Sequence, residues 1–229
     1  MAAPSHPAIL GRQIAEQRTE VPVAKLLIED VPFAEGQLEK WRSPRSVLKR
    51  SLFGKCAPPL KELLQRKTKR RPRHFFGETF VATRERPYSA AWYGSYKWLT
   101  SPKWTGHHEL SDAYQEGFRR ALQRHIQNLE ELQRLARRNR LGKKLVAPDL
   151  FIIEPRKLRF IEVKLPGDRV ADHQLAGLAL IQQVLRPRQR IPVTVELMYL
   201  HSSERTRDHA DVQRRFESIS ARVGRLVSE

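Results

Sequence analysis

One cysteine, Cys56, is all that 229 residues contain. No disulfide can close within the chain, and no CxxC pair is available for a structural zinc site. Such a chain suits a reducing cytosol. Spaced histidine ligands are lacking as well. His107 and His108 are adjacent rather than set on one metal-binding face, so a zinc-dependent hydrolase has no ligand set here. There is no glycine-rich phosphate loop, which removes an ATP-driven motor. No apolar run approaches the ~20 residues of a membrane span. The first residues, M-A-A-P-S-H-P, do not begin a basic n-region with an apolar h-region behind it. No secretory signal is expected, and the expected location is cytoplasmic; export by a contractile secretion machine would need no such signal. Internal repeats are also missing.

Acidic residues are scarce relative to basic ones. Lys and Arg number 43 against 25 Asp and Glu, a net charge of +18 and a pI near 10.7. An excess of this size implies a polyanionic partner, nucleic acid before any other. A membrane surface would need an amphipathic helix with a clean apolar face, and no segment supplies one. Hydrophobic residues make up 40% and charged residues 30%, the balance of a globular chain.

The organisation follows from the periodicities. Residues 1 to about 20 hold Pro4 and Pro7 and little apolar content, and are expected to be poorly ordered. Val23 to Phe33 reads as a short helix or strand. Pro44, Gly54, Pro58 and Pro59 break the next stretch into short helical pieces; Leu60, Leu63 and Leu64 are spaced for one of them, with Pro59 at its first position. The run Arg66 to His74 is either a solvated linker or a phosphate-contacting arm. Phe75 to Trp104 is aromatic-rich, with Trp92, Tyr93, Tyr96, Trp98 and Trp104 beside Lys97 and Lys103. These rings could stack on unpaired bases, but packing onto a core is the favoured reading. Thr79 to Thr83 is expected as a strand.

Ser111 to about Arg138 reads as a single amphipathic helix, with Ser111 as its N-cap and Tyr114, Phe118, Leu122, Ile126, Leu129, Leu132 and Ala136 on its apolar face. Two short strands follow, Leu150 to Ile153 and Leu158 to Val163, joined by a turn at Glu154 to Lys157. Val170 to Leu185 is a second helix. Val193 to Leu200 is apolar on both faces, hence an interior strand. Asp208 to Leu226 is a closing helix. A hairpin, a crossover helix and another strand make a mixed sheet flanked by helices. The expected division is a basic, mostly helical or irregular extension over 1–110 and an α/β domain over 111–229.

Within the hairpin, apolar strands carry charge. Asp149 precedes the first strand. Glu162 and Lys164 end the second and are two apart, so they share a face. Asp149 lies across the hairpin from them. Asp after Pro is a common turn pair, and E-x-K is a common solubilising pair on a strand edge. The conjunction inside apolar strands of a basic chain points to a site instead. Two converging carboxylates, with the carbonyl of Val163 and water, could hold a hard divalent cation: Mg²⁺, or Mn²⁺ in its place. Such an ion activates water and offsets phosphodiester charge. Lys164 could orient the attacking water or contact phosphate.

The segments A-P-D-L-F-I-I and L-R-F-I-E-V-K-L-P-G-D-R-V-A-D-H-Q resemble the PD-(D/E)XK (restriction-endonuclease-like) nuclease superfamily and, within it, the VRR-NUC family. Pro148, Asp149 and Leu150 match its first motif. Glu162, Val163 and Lys164 match the second, Pro166 to Arg169 the loop, and Gln174 the helix glutamine. Leu165 stands where the family usually has glycine, and Val170 where it often has leucine. The resemblance covers roughly Ala147 to Leu200. It implies a restriction-endonuclease-like fold, with Asp149 and Glu162 as metal ligands, Lys164 as the catalytic lysine and Gln174 as support. The family also tends to carry an acid on the helix before the hairpin. Glu116 is the first candidate, with Glu109 and Glu130 behind it. His125 is read as packing and His173 as helix surface.

The expectation is therefore a Mg²⁺- or Mn²⁺-dependent nuclease acting on DNA. A repair enzyme, a mobile-element enzyme and an antibacterial effector would share this site, and an effector would need an immunity protein. The rival is a nucleic-acid-binding protein that keeps the fold without the chemistry.

Overall fold

A computed structural model describes residues 25–43, 46–56, 60–63, 74–85, 87–94, 98–100, 112–138, 144–202 and 209–228. Strands β1 (Leu27–Pro32), β2 (Ala90–Tyr93), β3 (Leu150–Glu154), β4 (Lys157–Lys164) and β5 (Val193–His201) form one mixed sheet in the order β1-β5-β4-β3-β2. The hairpin β3–β4 is antiparallel from Leu150 opposite Ile161 to Glu154 opposite Lys157, closed by Pro155 and Arg156. β4 and β5 are parallel, Leu158 opposite Val193 through Lys164 opposite Tyr199. A parallel pair needs a crossover, and the helix Asp172–Leu185 between the two strands supplies it. The apolar β5 is interior, between β4 and β1, as its sequence predicts.

Seven helices of five or more residues lie in the described chain. On one face of the sheet are α1 (Gln37–Arg42), α2 (Val47–Lys55) and α3 (Phe76–Arg84). They close a core in which Trp41 and Phe76 meet Leu150, Ile152, Ile161 and Met198. The other face carries α4 (Asp112–His125), α5 (Leu129–Arg138), α6 (Asp172–Leu185) and α7 (Ala210–Ser228). Their apolar stripes pack Phe118, Leu132, Leu178 and Phe216 against Phe151, Phe160, Val195 and Leu197. Alternate residues of β4 thus serve opposite cores: Ile161 and Val163 one, Leu158 and Phe160 the other. The sheet with helices on both faces is an α/β, restriction-endonuclease-like architecture.

Three expectations change. Thr79 to Thr83 is helical, within α3. Its threonines bond back along the helix: Thr79 Oγ1 donates to the Phe75 carbonyl at 2.6 Å and Thr83 Oγ1 to that of Thr79 at 2.7 Å. That contact lets β-branched residues sit in a helix. The single helix expected to run to Arg138 is two, α4 and α5, with a break at Ile126 to Asn128. Asn128 accepts the first bond of α5 from Leu132 N–H at 2.9 Å. Asparagine favours this entry position, so the periodic apolar stripe runs on while the backbone turns. The boundary expected at 110/111 does not divide the sheet. β1 and β2 both precede it and form the two edges, and Trp98, 1% exposed, is in the core. Nonlocal strand pairing of this kind leaves little local periodic signal in four- to six-residue strands. Trp92 and Trp98 pack on Phe118 as core aromatics. Residues 64–73, Tyr96, Lys97, Lys103, Trp104, His107, His108, Glu109 and Ser111 lie outside the described residues.

Candidate active site

The site forms where β3 begins and β4 ends. Asp149 is held from both sides. Its carbonyl accepts from Gly94 N–H at 2.7 Å, and its carboxylate Oδ2 accepts from Val163 N–H at 2.9 Å. The first contact needs Gly94: a Cβ there would lie 2.6 Å from the Pro148 carbonyl oxygen. Glu162 is 2% exposed and Lys164 7%. Lys164 Nζ donates to Glu162 Oε1 at 2.6 Å. Gln174 Nε2 donates to the same oxygen at 2.5 Å. The amide oxygen of Gln174 accepts from Ala171 N–H at 3.0 Å, so this side chain ties the start of α6 to the carboxylate. The four residues singled out in sequence, Asp149, Glu162, Lys164 and Gln174, therefore converge, with Val163 between them in the chain and bonded to Asp149.

Burial sets the electrostatics. It pushes the Asp149 carboxyl upward, with Asp168 adding to the rise, while the Val163 N–H and Lys164 pull the other way. Glu162 is pushed up to about 8, by burial first and then by the Asp149 charge, against the pull of Lys164; Glu78 raises it further. The half-buried Asp149 and the buried Glu162, two carboxylates that resist ionisation side by side, form a cation-seeking pair. Among the described residues, Asp149 Oδ1 and Glu162 Oε2 each lack a protein hydrogen-bond donor. This all-oxygen donor set fits a hard divalent ion. No three His, Cys, Asp or Glu among the described residues converge on a metal position, so water would supply much of the shell. Mg²⁺ commonly keeps several waters.

Two members were missed in sequence. The Tyr93 hydroxyl is pushed well up by burial and by the charges of Glu78, Asp149 and Glu162. Its backbone N–H and carbonyl both bond the Tyr114 hydroxyl, at 2.9 and 3.2 Å, fixing the end of β2 to α4. Glu78 comes from α3, on the far side of the hairpin. Gly77 permits this approach: a Cβ there would lie 2.9 Å from Val163 Cγ1. The signal in sequence was the glycine beside an acid in F-F-G-E.

Glu116 is not brought to this group. It is bonded by Arg119 at 2.6 and 2.8 Å and by Arg120 at 2.8 Å, and these arginines hold its carboxyl below the usual range. With Glu130 it lines an open groove of about 1100 Å³ between α4 and α5. An i, i+3 and i, i+4 arrangement of arginines satisfies it locally. His173 is half-buried, and its carbonyl accepts from Val146 N–H at 3.3 Å. His125 is half-buried too, its imidazole pushed down by burial and by Arg124.

A mixed sheet flanked by helices, with these acids and lysine at its hairpin end and the glutamine on a crossover helix, is consistent with a restriction-endonuclease-like, PD-(D/E)XK fold. The VRR-NUC domain model matches residues 91–198, just under half of the chain. VRR-NUC is a family of that nuclease superfamily, so the match implies a nuclease-like function. The matched stretch runs from β2 into β5 and includes Asp149, Glu162, Lys164 and Gln174, whereas β1, Glu78 and α7 lie outside it. Comparison with the curated proteins gave no match, and neither did comparison with the solved structures. No helix among the described residues is long and apolar enough to cross a membrane.

Proposed function

We propose that the protein is a metal-dependent nuclease that hydrolyses phosphodiester bonds in DNA. The observation that carries this reading is the carboxylate pair of half-buried Asp149 and buried Glu162, both raised in proton affinity, with Lys164 donating to Glu162 at 2.6 Å. Asp149, Glu162 and the Val163 carbonyl would hold Mg²⁺, with Mn²⁺ able to replace it. When bound, the ion supplies an acidified water and charge relief for the phosphodiester.

The chain's own groups do the rest. Gln174 and Lys164 fix the Glu162 carboxylate by both donating to one of its oxygens, so the other oxygen would be the one available to a cation. Lys164, at the strand end, orients the attacking water and meets phosphate oxygen. The Glu78 charge adds to the acidic field around Glu162, and the neutral Tyr93 hydroxyl lies within that field. Gly94 and the Val163 N–H keep Asp149 from swinging away.

The test is purified protein on supercoiled, linear, single-stranded and branched DNA, with Mg²⁺, with Mn²⁺ and with chelator. Asp149→Ala and Lys164→Ala run beside it. Cleavage in metal that disappears in chelator and in both variants is expected. Cleavage that persists in chelator or survives both substitutions removes the mechanism. Binding without cutting, across all metals and substrates, selects the non-catalytic binding protein instead.

A further inference from the structure

A ridge of arginines begins beside the far end of α6 from the site. Gln174 lies near the start of that helix and Arg186 just past its end. Twelve residues at 1.5 Å each separate them by about 18 Å. Arg186, Arg188 and Arg190 are exposed, and none makes an ion pair among the described residues. The turn that carries them is fixed: the N–H groups of Arg188 and Gln189 both donate to the Leu185 carbonyl at 3.0 Å. Their spacing is therefore set before any ligand arrives.

The ridge continues onto α5. Glu131, in its first turn, feels the charges of Arg134, Arg188 and Arg138. The start of α5 thus lies at the C-terminal end of α6, and the two helices pack together. The rest of α5 runs back along α6 towards the end that holds Gln174. Arg137 and Arg138 are exposed there without ion pairs among the described residues. Glu131 is already bonded to Arg134 at 2.6 and 2.7 Å, so it does little to offset the others.

Cations at a helix C-terminus offset the helix dipole, which accounts in part for Arg137, Arg138, Arg186 and Arg188. Arg190 lies farther on in the turn to β5, beyond that role. Crowded unpaired guanidiniums repel one another in the free protein, and a polyanion relieves that repulsion. A membrane surface would ask for exposed apolar side chains among them. The turn offers only Pro187 and Pro192 as exposed apolar residues, and Ile191 is half-buried.

We propose that α5 and the turn after α6 form a second nucleic-acid surface, which grips the sugar-phosphate backbone of the arm beyond the cut. An offset of about 18 Å is roughly five base pairs at 3.4 Å each. A substrate must extend at least that far on one side to engage it. The surface reads no bases, because isolated guanidiniums on an open ridge meet phosphate rather than groove edges. The position of the cut rests on the nuclease reading, whereas the binding does not.

The test uses the full chain in chelator and hairpin-capped DNA duplexes of about 4 and about 20 base pairs, chosen to fall short of and beyond the ridge. Anisotropy over a salt series compares wild type with R186Q/R188Q/R190Q and, separately, with R137Q/R138Q. The triple variant is expected to bind the long duplex at least about tenfold more weakly, and its log–log salt slope to fall by about 2 to 3. The preference for long over short duplex shrinks in the triple variant, whereas R137Q/R138Q, nearer the site, weakens binding of both lengths. A triple variant with wild-type affinity and slope on the long duplex overturns the proposal. In the triple variant, equal losses on both lengths overturn it as well. Wild type binding phosphatidylserine vesicles more tightly than the long duplex at the same salt would reassign the ridge to lipid. If wild type never cleaves DNA in Mg²⁺, the nuclease reading fails while these binding results still decide the ridge.

Discussion

Replacing Lys164 by Met in metal-free protein should expose how the site stores its charge. Lys164 Nζ and Glu162 Oε1 are 2.6 Å apart, with side chains 9% and 3% exposed. Removing one partner of a buried pair typically costs about 3–5 kcal/mol when the survivor must stay charged. Here the survivor can take a proton instead. The folded Glu162 carboxyl is raised from 4.5 to about 8. A raised carboxyl contributes stability that is fully present below its unfolded pKa and lost as pH rises through the folded one. For the wild type that window runs from about 4.5 to about 8. Lys164 pulls this carboxyl down, so its loss moves the upper end of the window higher still.

At pH 5.5 the folded variant keeps Glu162 neutral and should lose only a hydrogen bond, about 1 kcal/mol. At pH 9 the loss should grow towards about 3–5 kcal/mol. For a chain of this size that is on the order of 10 °C in Tm. The assay is thermal unfolding in chelator at both pH values, for Lys164→Met, Glu162→Gln and the double variant. The double variant removes both charges and should recover most of the loss at pH 9. Equal Tm losses at the two pH values, or a double variant as damaged at pH 9 as Lys164→Met, would refute the buried-pair account.

Other expectations follow from the same geometry. Glu78→Gln should slow DNA cleavage about 10- to 100-fold while Glu116→Gln leaves it unchanged, since only Glu78 acts on Glu162; steady-state cleavage in Mg²⁺ decides between them, and the reverse ranking would restore Glu116. Gly177→Ala should destabilise by more than about 3 kcal/mol, because its Cβ would lie 2.0 Å from the Val146 carbonyl oxygen in the backbone that leads to Asp149. Urea unfolding measures it, and a loss under about 1 kcal/mol would mean that α6 can slide freely. Arg159→Met should cost about 3–5 kcal/mol. Arg159 forks onto Glu196 at 2.5 and 2.8 Å and also reaches Glu85 and Glu154, and its loss strands buried acids. Adding Glu196→Gln should recover part of that loss.

The hairpin was legible because its information is local. Asp149, Glu162 and Lys164 sit within sixteen residues, period two places the last two on one face, and the Pro155 turn sets the register. The crossover helix with Gln174 was legible for the same reason. Glu78 and Tyr93 were not, since each arrives on an element that only tertiary contact identifies. Glu116 misled because a helix acid near the hairpin in sequence need not face it, and two arginines one turn away satisfy it better.

The sequence by itself determined the hairpin, the interior strand, the crossover helix and the residues of the charge cluster, all from short-range pattern and residue type. Tertiary structure decided the edges of the sheet, the break between α4 and α5, and which distant acid stands beside the carboxylate pair. It also decided that this pair is dry enough to resist ionisation. Burial is a property of what packs around a group, and α3, β2 and α6 come from three separate parts of the chain to enclose it.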